Sequence, residues 1–163
     1  MSKEPHERAT TEEKIQHALT DARVVLPGAQ ALLGFQLIAV LLGGFESLPA
    51  SSKYIHVLSL MLITLSTILL MTPPAYHRLV EGGEPSEHFY TVVKRAILWS
   101  MIPLGAGICG DFLIVARNVS GSLAFAVAGT LIMTATFYIL WFGFPLSQKN
   151  RRNEPVARSH DRN

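Results

Sequence analysis

Four long stretches of this chain carry almost no charge, and that distribution limits what it can fold into more than any other feature. They lie at about residues 24–45, 55–75, 96–116 and 121–146. The first and fourth hold no Asp, Glu, Lys, Arg or His, the second only His56 near its start, and the third a single acid, Asp111. A helix needs roughly 20 mostly apolar residues to cross a hydrocarbon layer about 30 Å thick, and each window is that long. The sequence therefore predicts an all-α fold, an integral membrane four-helix bundle. The competing reading is a soluble bundle, whose helices would keep a polar stripe toward water, and these windows have none. A cleaved signal peptide does not account for the first window either. Its leading segment would be too long, and with Glu4, Glu7, Glu12, Glu13 and Asp21 too acidic.

Topology follows from the basic residues, because Lys and Arg are held on the cytoplasmic side. Lys3, Arg8, Lys14 and Arg23 precede the first window, Arg78, Lys94 and Arg95 lie between the second and third, and Lys149, Arg151, Arg152, Arg158 and Arg162 follow the fourth. Of the 14 basic residues, only Lys53 and Arg117 fall on the opposite side. Both termini and the central loop are thus expected in the cytoplasm. The expected organisation is a cytoplasmic tail over 1–23, a four-span membrane domain over 24–147, and a basic, disordered cytoplasmic tail over 148–163. The single cysteine, Cys109, lies within the third span and reads as a small buried apolar residue.

Residues 1 to about 9 read as disordered. Thr10 followed by Glu13 is a capping-box pattern. Ile15, Leu19, Ala22 and Leu26 then share one helical face, so a short amphipathic helix on the inner membrane surface is expected before the first span. Pro27 suits the first turn of that span, or kinks a helix that runs through. Gln30, Gly34 and Leu41 fall near one stripe that faces the bundle in this reading, and Gln30 and Gln36 are amides that need partners in hydrocarbon. Pro73 and Pro74 are expected to close the second span, with Tyr76, His77 and Arg78 at the interface. Ser86 is a candidate cap for a helix starting at Glu87. A short connection at 118–120 makes spans three and four a hairpin.

Asp111 is the residue with the most chemical interest, since an acid inside a span tends to face the bundle interior or water. Gly107, Pro103 and Ser100 precede it on one face. Ala106 and Gly110 form a small-xxx-small pair beside that face, which allows close helix contact. His56 and Lys53 stand at similar depth, so Asp111 with His56 or with Lys53 is the expected polar pair. Asp111 is then a proton- or cation-binding candidate, or a structural acid tied to a base. His77 and His56 sit at opposite ends of one helix and cannot grip one iron. The sequence shows no zinc spacing, phosphate-cradling glycine loop or nucleophile elbow, so neither a metal, a cofactor nor an enzyme is expected. Nucleic acid is not an expected partner; membrane lipids, a second copy of the chain or another membrane protein are.

Two segments carry a family resemblance: LPGAQALLGFQL over 26–37 and TPPAYHRL over 72–79. With the four-span layout they resemble an uncharacterised family of small bacterial inner-membrane proteins, over roughly residues 15–147. The resemblance implies a bacterial cytoplasmic membrane and a four-helix fold. It marks Pro27, Gly28, Gln30, Tyr76, His77 and Arg78 as positions of interest, and some relatives carry a sodium–proton antiporter label. Two functional expectations follow: a non-enzymatic protein that works by helix packing with itself or a partner, and a small proton- or cation-coupled transporter using Asp111. The topology is tested by fusing reporters to each tail. Both are expected to report a cytoplasmic location, and tails on opposite faces would refute the four-span layout.

Overall fold

The computed structural model describes residues 5–76, 87–145 and 147, and every regular element among them is helical. The elements are α1 (Pro5–Leu41), α2 (Ala50–Tyr76), α3 (Glu87–Ser120) and α4 (Leu123–Tyr138), the last running into a π-helical turn at Ile139–Gly143. Four helices are long and apolar enough to cross a membrane. The protein is thus a multi-pass membrane protein whose described spans are all helical, the structure in which every backbone polar group is satisfied within its own segment.

Helix lengths correct several sequence expectations. The surface helix expected before the first span does not exist as a separate element, and residues 5–9 are helical rather than disordered. α1 is one helix of 37 residues with Pro27 inside it. At 1.5 Å per residue it is about 55 Å long, well beyond a hydrocarbon layer of about 30 Å. α3, with 34 residues, reaches about 50 Å. The surplus of both helices lies at their charged N-terminal ends. There Ile15 packs on Phe89 and Val93, with Leu19, Tyr76 and Ile97 around them. The start of the apolar face of residues 15–26, at Ile15, Ala18 and Leu19, therefore packs against α3 and Tyr76. Pro73 and Pro74 do not end α2, which continues to Tyr76. α3 runs through residues 118–120 to Ser120, and the turn before α4 is Gly121–Ser122. Gly121 has φ +66°, a conformation glycine adopts without penalty. The Ser122 hydroxyl accepts the Phe125 N–H at 3.3 Å and caps α4. Residues 148–163, and with them the basic tail, lie outside the described residues.

The chain divides into two units, residues 1–111 and 112–163. In the first unit the buried positions recur every 3.5 residues. On α1 they are Ile15, Ala22, Ala29 and Gln36, seven apart. On α2 Ser52, His56, Ser59, Ile63, Ser66, Leu70 and Pro73 alternate steps of four and three, with Thr67 buried beside Ser66. Phe89, Val93, Ser100, Pro103 and Gly107 continue the pattern on α3. This is the repeat of left-handed helix packing. Hydroxyl side chains recur along the α2 seam at Ser52, Ser59, Ser66 and Thr67, as helix contacts in lipid favour. In the second unit Phe112 lies against Gly129, where an added Cβ would stand 3.4 Å from the ring. Ala126 is the only buried residue of α4, so its side chains belong to lipid. Phe137, Tyr138, Trp141 and Phe142 form ring contacts at its end, the composition of an interfacial aromatic belt.

The glycines of α3 set how close α2 comes. A Cβ on Gly107 would stand 2.6 Å from Ile63 Cγ1 and 3.0 Å from the Ser59 carbonyl oxygen, whereas Gly34 has open space around it. Gly107→Leu is therefore expected to cost about 1–3 kcal/mol, read as a lower thermal midpoint in detergent, while Gly34→Leu leaves the midpoint in place.

Candidate functional site

Three helices converge on the Asp111 carboxyl. From α1, Gln36 Nε2 donates a hydrogen bond to Asp111 Oδ2. From α2, His56 Nδ1 stands 3.4 Å from Asp111 Oδ1. The other ring nitrogen, His56 Nε2, is 3.1 Å from the backbone carbonyl oxygen of Gln36. Ser59, one turn further along α2, also reaches the carboxyl. The edge of the Phe45 ring closes over the imidazole, with centroids 5.3 Å apart. The side chains of His56 and Asp111 are 9% and 27% exposed, so the imidazole is sealed and the carboxyl opens on one side.

Each residue arrives through its helix register. Gln36 is the last of the buried positions spaced by seven on α1, and His56 is the second buried position of α2. Gly110 allows the contact on α3, since a Cβ there would collide with the Ser59 hydroxyl. A larger residue at 110 would hold α2 away and separate His56 and Ser59 from the acid. Lys53, the other candidate partner, turns away and donates to the Glu46 carbonyl oxygen at 2.9 Å.

The hydrogen-bond pattern assigns the protons. A carbonyl oxygen only accepts, so His56 Nε2 carries the hydrogen it points at Gln36. Nδ1 is then the ring nitrogen that faces Asp111 Oδ1. Gln36 must turn its NH2 toward Oδ2, which leaves Gln36 Oε1 buried without a donor, and Asp111 Oδ1 is likewise buried without a hydrogen bond. The 3.4 Å approach of Nδ1 is within ion-pair range but lacks hydrogen-bond geometry. Two orphan acceptors thus face a region where buried oxygens are normally paired. One of them, Oδ1, is the carboxyl oxygen that His56 Nδ1 approaches.

A family model matches residues 3–145, which take in all four spans and the whole Gln36–His56–Asp111 cluster. The chain belongs to DUF6328, a family of unknown function. Both segments that carried the resemblance, 26–37 and 72–79, lie within the matched range. No curated protein and no solved structure matches the chain.

The remaining positions marked in the sequence of this DUF6328 chain fall elsewhere. Gln30 is exposed, facing away from the bundle, and Leu41 is 84% exposed, so the stripe expected to face inward does not. Gln36 takes the inward place because it continues the spacing of Ala22 and Ala29. Pro103 is buried on α3, Ala106 is half-buried, and Gly107 and Gly110 are occupied by α2. Tyr76 stacks on Phe89 with planes 9° apart at 6.1 Å. His77, Arg78 and Ser86 lie outside the described residues. No group of three His, Cys, Asp or Glu able to hold a metal occurs among the described residues. Sequence reasoning did not join Gln36 to Asp111, nor find the part played by the Gln36 carbonyl and Phe45. The seven-residue spacing from Ile15 was the available signal for Gln36.

Removing one partner of a buried polar pair leaves the other unsatisfied, which costs more than removing both. Gln36→Leu alone is therefore expected to destabilise the detergent-solubilised protein more than Gln36→Leu combined with Asp111→Leu. Double-mutant coupling of about 1 kcal/mol is the expected scale for such bonds in membranes; independent effects would show that the contact carries no energy.

Proposed function

We propose that this membrane protein is a small proton-coupled transporter, non-enzymatic, in which Asp111 and His56 together hold the coupling proton. The observation that carries this reading is the 3.4 Å approach of His56 Nδ1 to Asp111 Oδ1, with Nε2 already committed to the Gln36 carbonyl. A pair serving only to tie helices together would leave no buried acceptor unpaired, yet Oδ1 and Gln36 Oε1 both are. The hydroxyl seam of α2 supports the same reading. Ser59 and Ser66 are both buried there, and Ser66 Oγ has no hydrogen-bond partner. They stand about 10 Å apart along the helix, so a proton passing between them would need bridging water. With both tails cytoplasmic, as the basic residues argue, the pair would lie in the outer half of the bilayer of a bacterial inner membrane.

One observation favours helix packing with a second copy or another membrane protein. Gly28 and Gly34 on α1 have nothing within 4 Å of an added Cβ, whereas Gly107 and Gly110 are already spent on α2. Small residues open to lipid are the usual material of helix association. The two readings are compatible, since small transporters can assemble.

Flux decides. The full chain in sealed vesicles with an imposed pH gradient is expected to dissipate it faster than protein-free vesicles, with sodium or potassium varied across the membrane to find the coupled ion. Asp111→Asn keeps the shape and removes the exchangeable carboxyl proton, so it is expected to abolish the protein-dependent flux. Wild-type vesicles no leakier than empty ones under every gradient would overturn the proposal.

A further inference from the structure

We infer that the groove between the N-terminal ends of α1 and α3 is a binding site for an anionic glycerophospholipid, one with a single phosphodiester charge such as phosphatidylglycerol. This goes beyond the transport reading and does not depend on it. The groove has a volume of about 390 Å³ and lies within the first unit. Lys14, His17 and Asp21 of α1 line it, and Tyr90 and Lys94 of α3 face them. Its floor is apolar, made by Ala18, Ile97, Leu98 and Met101.

The order of these side chains along α3 matches the build of a lipid. Lys94 stands where the charged end of the helix meets the apolar window, and Met101 lies about 10 Å further into it. A headgroup phosphate held at the level of Lys94 would send its first methylenes over Ile97, Leu98 and Met101. Leu98 is 47% exposed and has surface to cover. Basic pockets between spans at the membrane face are where anionic headgroups bind. The volume suits a headgroup and the start of the chains, with the rest of the acyl tails in the bilayer.

Charge selects the headgroup. Two ammonium groups, Lys14 and Lys94, face one carboxylate, Asp21, and neither lysine forms an ion pair with it among the described residues. One net positive charge remains, which one phosphodiester neutralises and a zwitterionic lipid does not. His17 leans toward Glu13 at 3.8 Å, with both side chains mostly in water, a pair too exposed to compete strongly. The Tyr90 hydroxyl is a further donor lining the groove.

The test uses the purified full chain in detergent, with lipid retention measured by native mass spectrometry. Dioleoylphosphatidylglycerol is expected to be retained in preference to dioleoylphosphatidylethanolamine, and inorganic phosphate is expected not to displace it. Lys14→Gln and Lys94→Gln are each expected to lower retention roughly fivefold, the worth of one basic residue near an anionic headgroup. Asp21→Asn is expected to raise it. Leu98→Trp, which fills the floor and leaves every charge in place, is expected to lower it, and this variant with Asp21→Asn carries the test if the lysine variants do not fold. Equal retention of the two lipids would overturn the inference. So would displacement by phosphate alone, or a folded double lysine variant that keeps wild-type retention.

Discussion

An ionisable carboxyl in hydrocarbon is the constraint on which the first unit depends. Inserting an aspartate into a span costs up to about 3 kcal/mol on biological insertion scales, the figure for the span centre, and donors from other helices offset that cost. Here α1 contributes the Gln36 amide and α2 contributes His56 and Ser59. Two conditions make this possible. The buried stripe of α1 must reach Gln36 in phase with Ile15, Ala22 and Ala29, and α3 must lack side chains at 107 and 110. The small residues and the polar cluster are thus one device, since glycine provides the closeness and the acid uses it.

The pair does not satisfy every polar atom it buries. A tie meant only for stability is best fully satisfied, because unpaired buried acceptors are costly in a medium without water. The cluster instead leaves Asp111 Oδ1 and Gln36 Oε1 without a hydrogen bond, with His56 Nδ1 3.4 Å from the first. Such local inconsistency in an otherwise regular seam is the kind that marks functional sites.

At the other end of the unit the mismatch between helix length and bilayer thickness does the shaping. α1 and α3 are both too long for the hydrocarbon, and both carry the excess at the N-terminal, charged end. Packed together through Ile15, Phe89 and Val93, they form a stem that stands at the membrane face. A stem of two amphipathic helices leaves a groove where their charged and apolar faces meet, and that boundary has the chemistry of a lipid headgroup region. The second unit is simpler. α4 buries Ala126 alone, and its exposed Phe125, Leu131 and Ile132 are what a lipid-facing helix displays.

The run of uncharged residues determined by itself that this chain is helical and crosses a membrane four times, because about 20 unbroken apolar residues match a spanning helix, whereas a barrel strand is half as long and alternates. Composition also singled out Asp111, His56, Gln30 and Gln36 as polar residues within the spans. Local signals misjudged the element ends. The capping pattern at Thr10 and the prolines at 27, 73 and 74 suggested breaks, yet α1 and α2 run through them, because packing against neighbouring helices outweighs a lost hydrogen bond. Only the tertiary structure decided that Gln36 faces inward while Gln30 does not, that His56 rather than Lys53 meets Asp111, and that its Nε2 is spoken for by a carbonyl. Those facts depend on the relative phase and depth of separate helices, which a single sequence does not encode in any one segment.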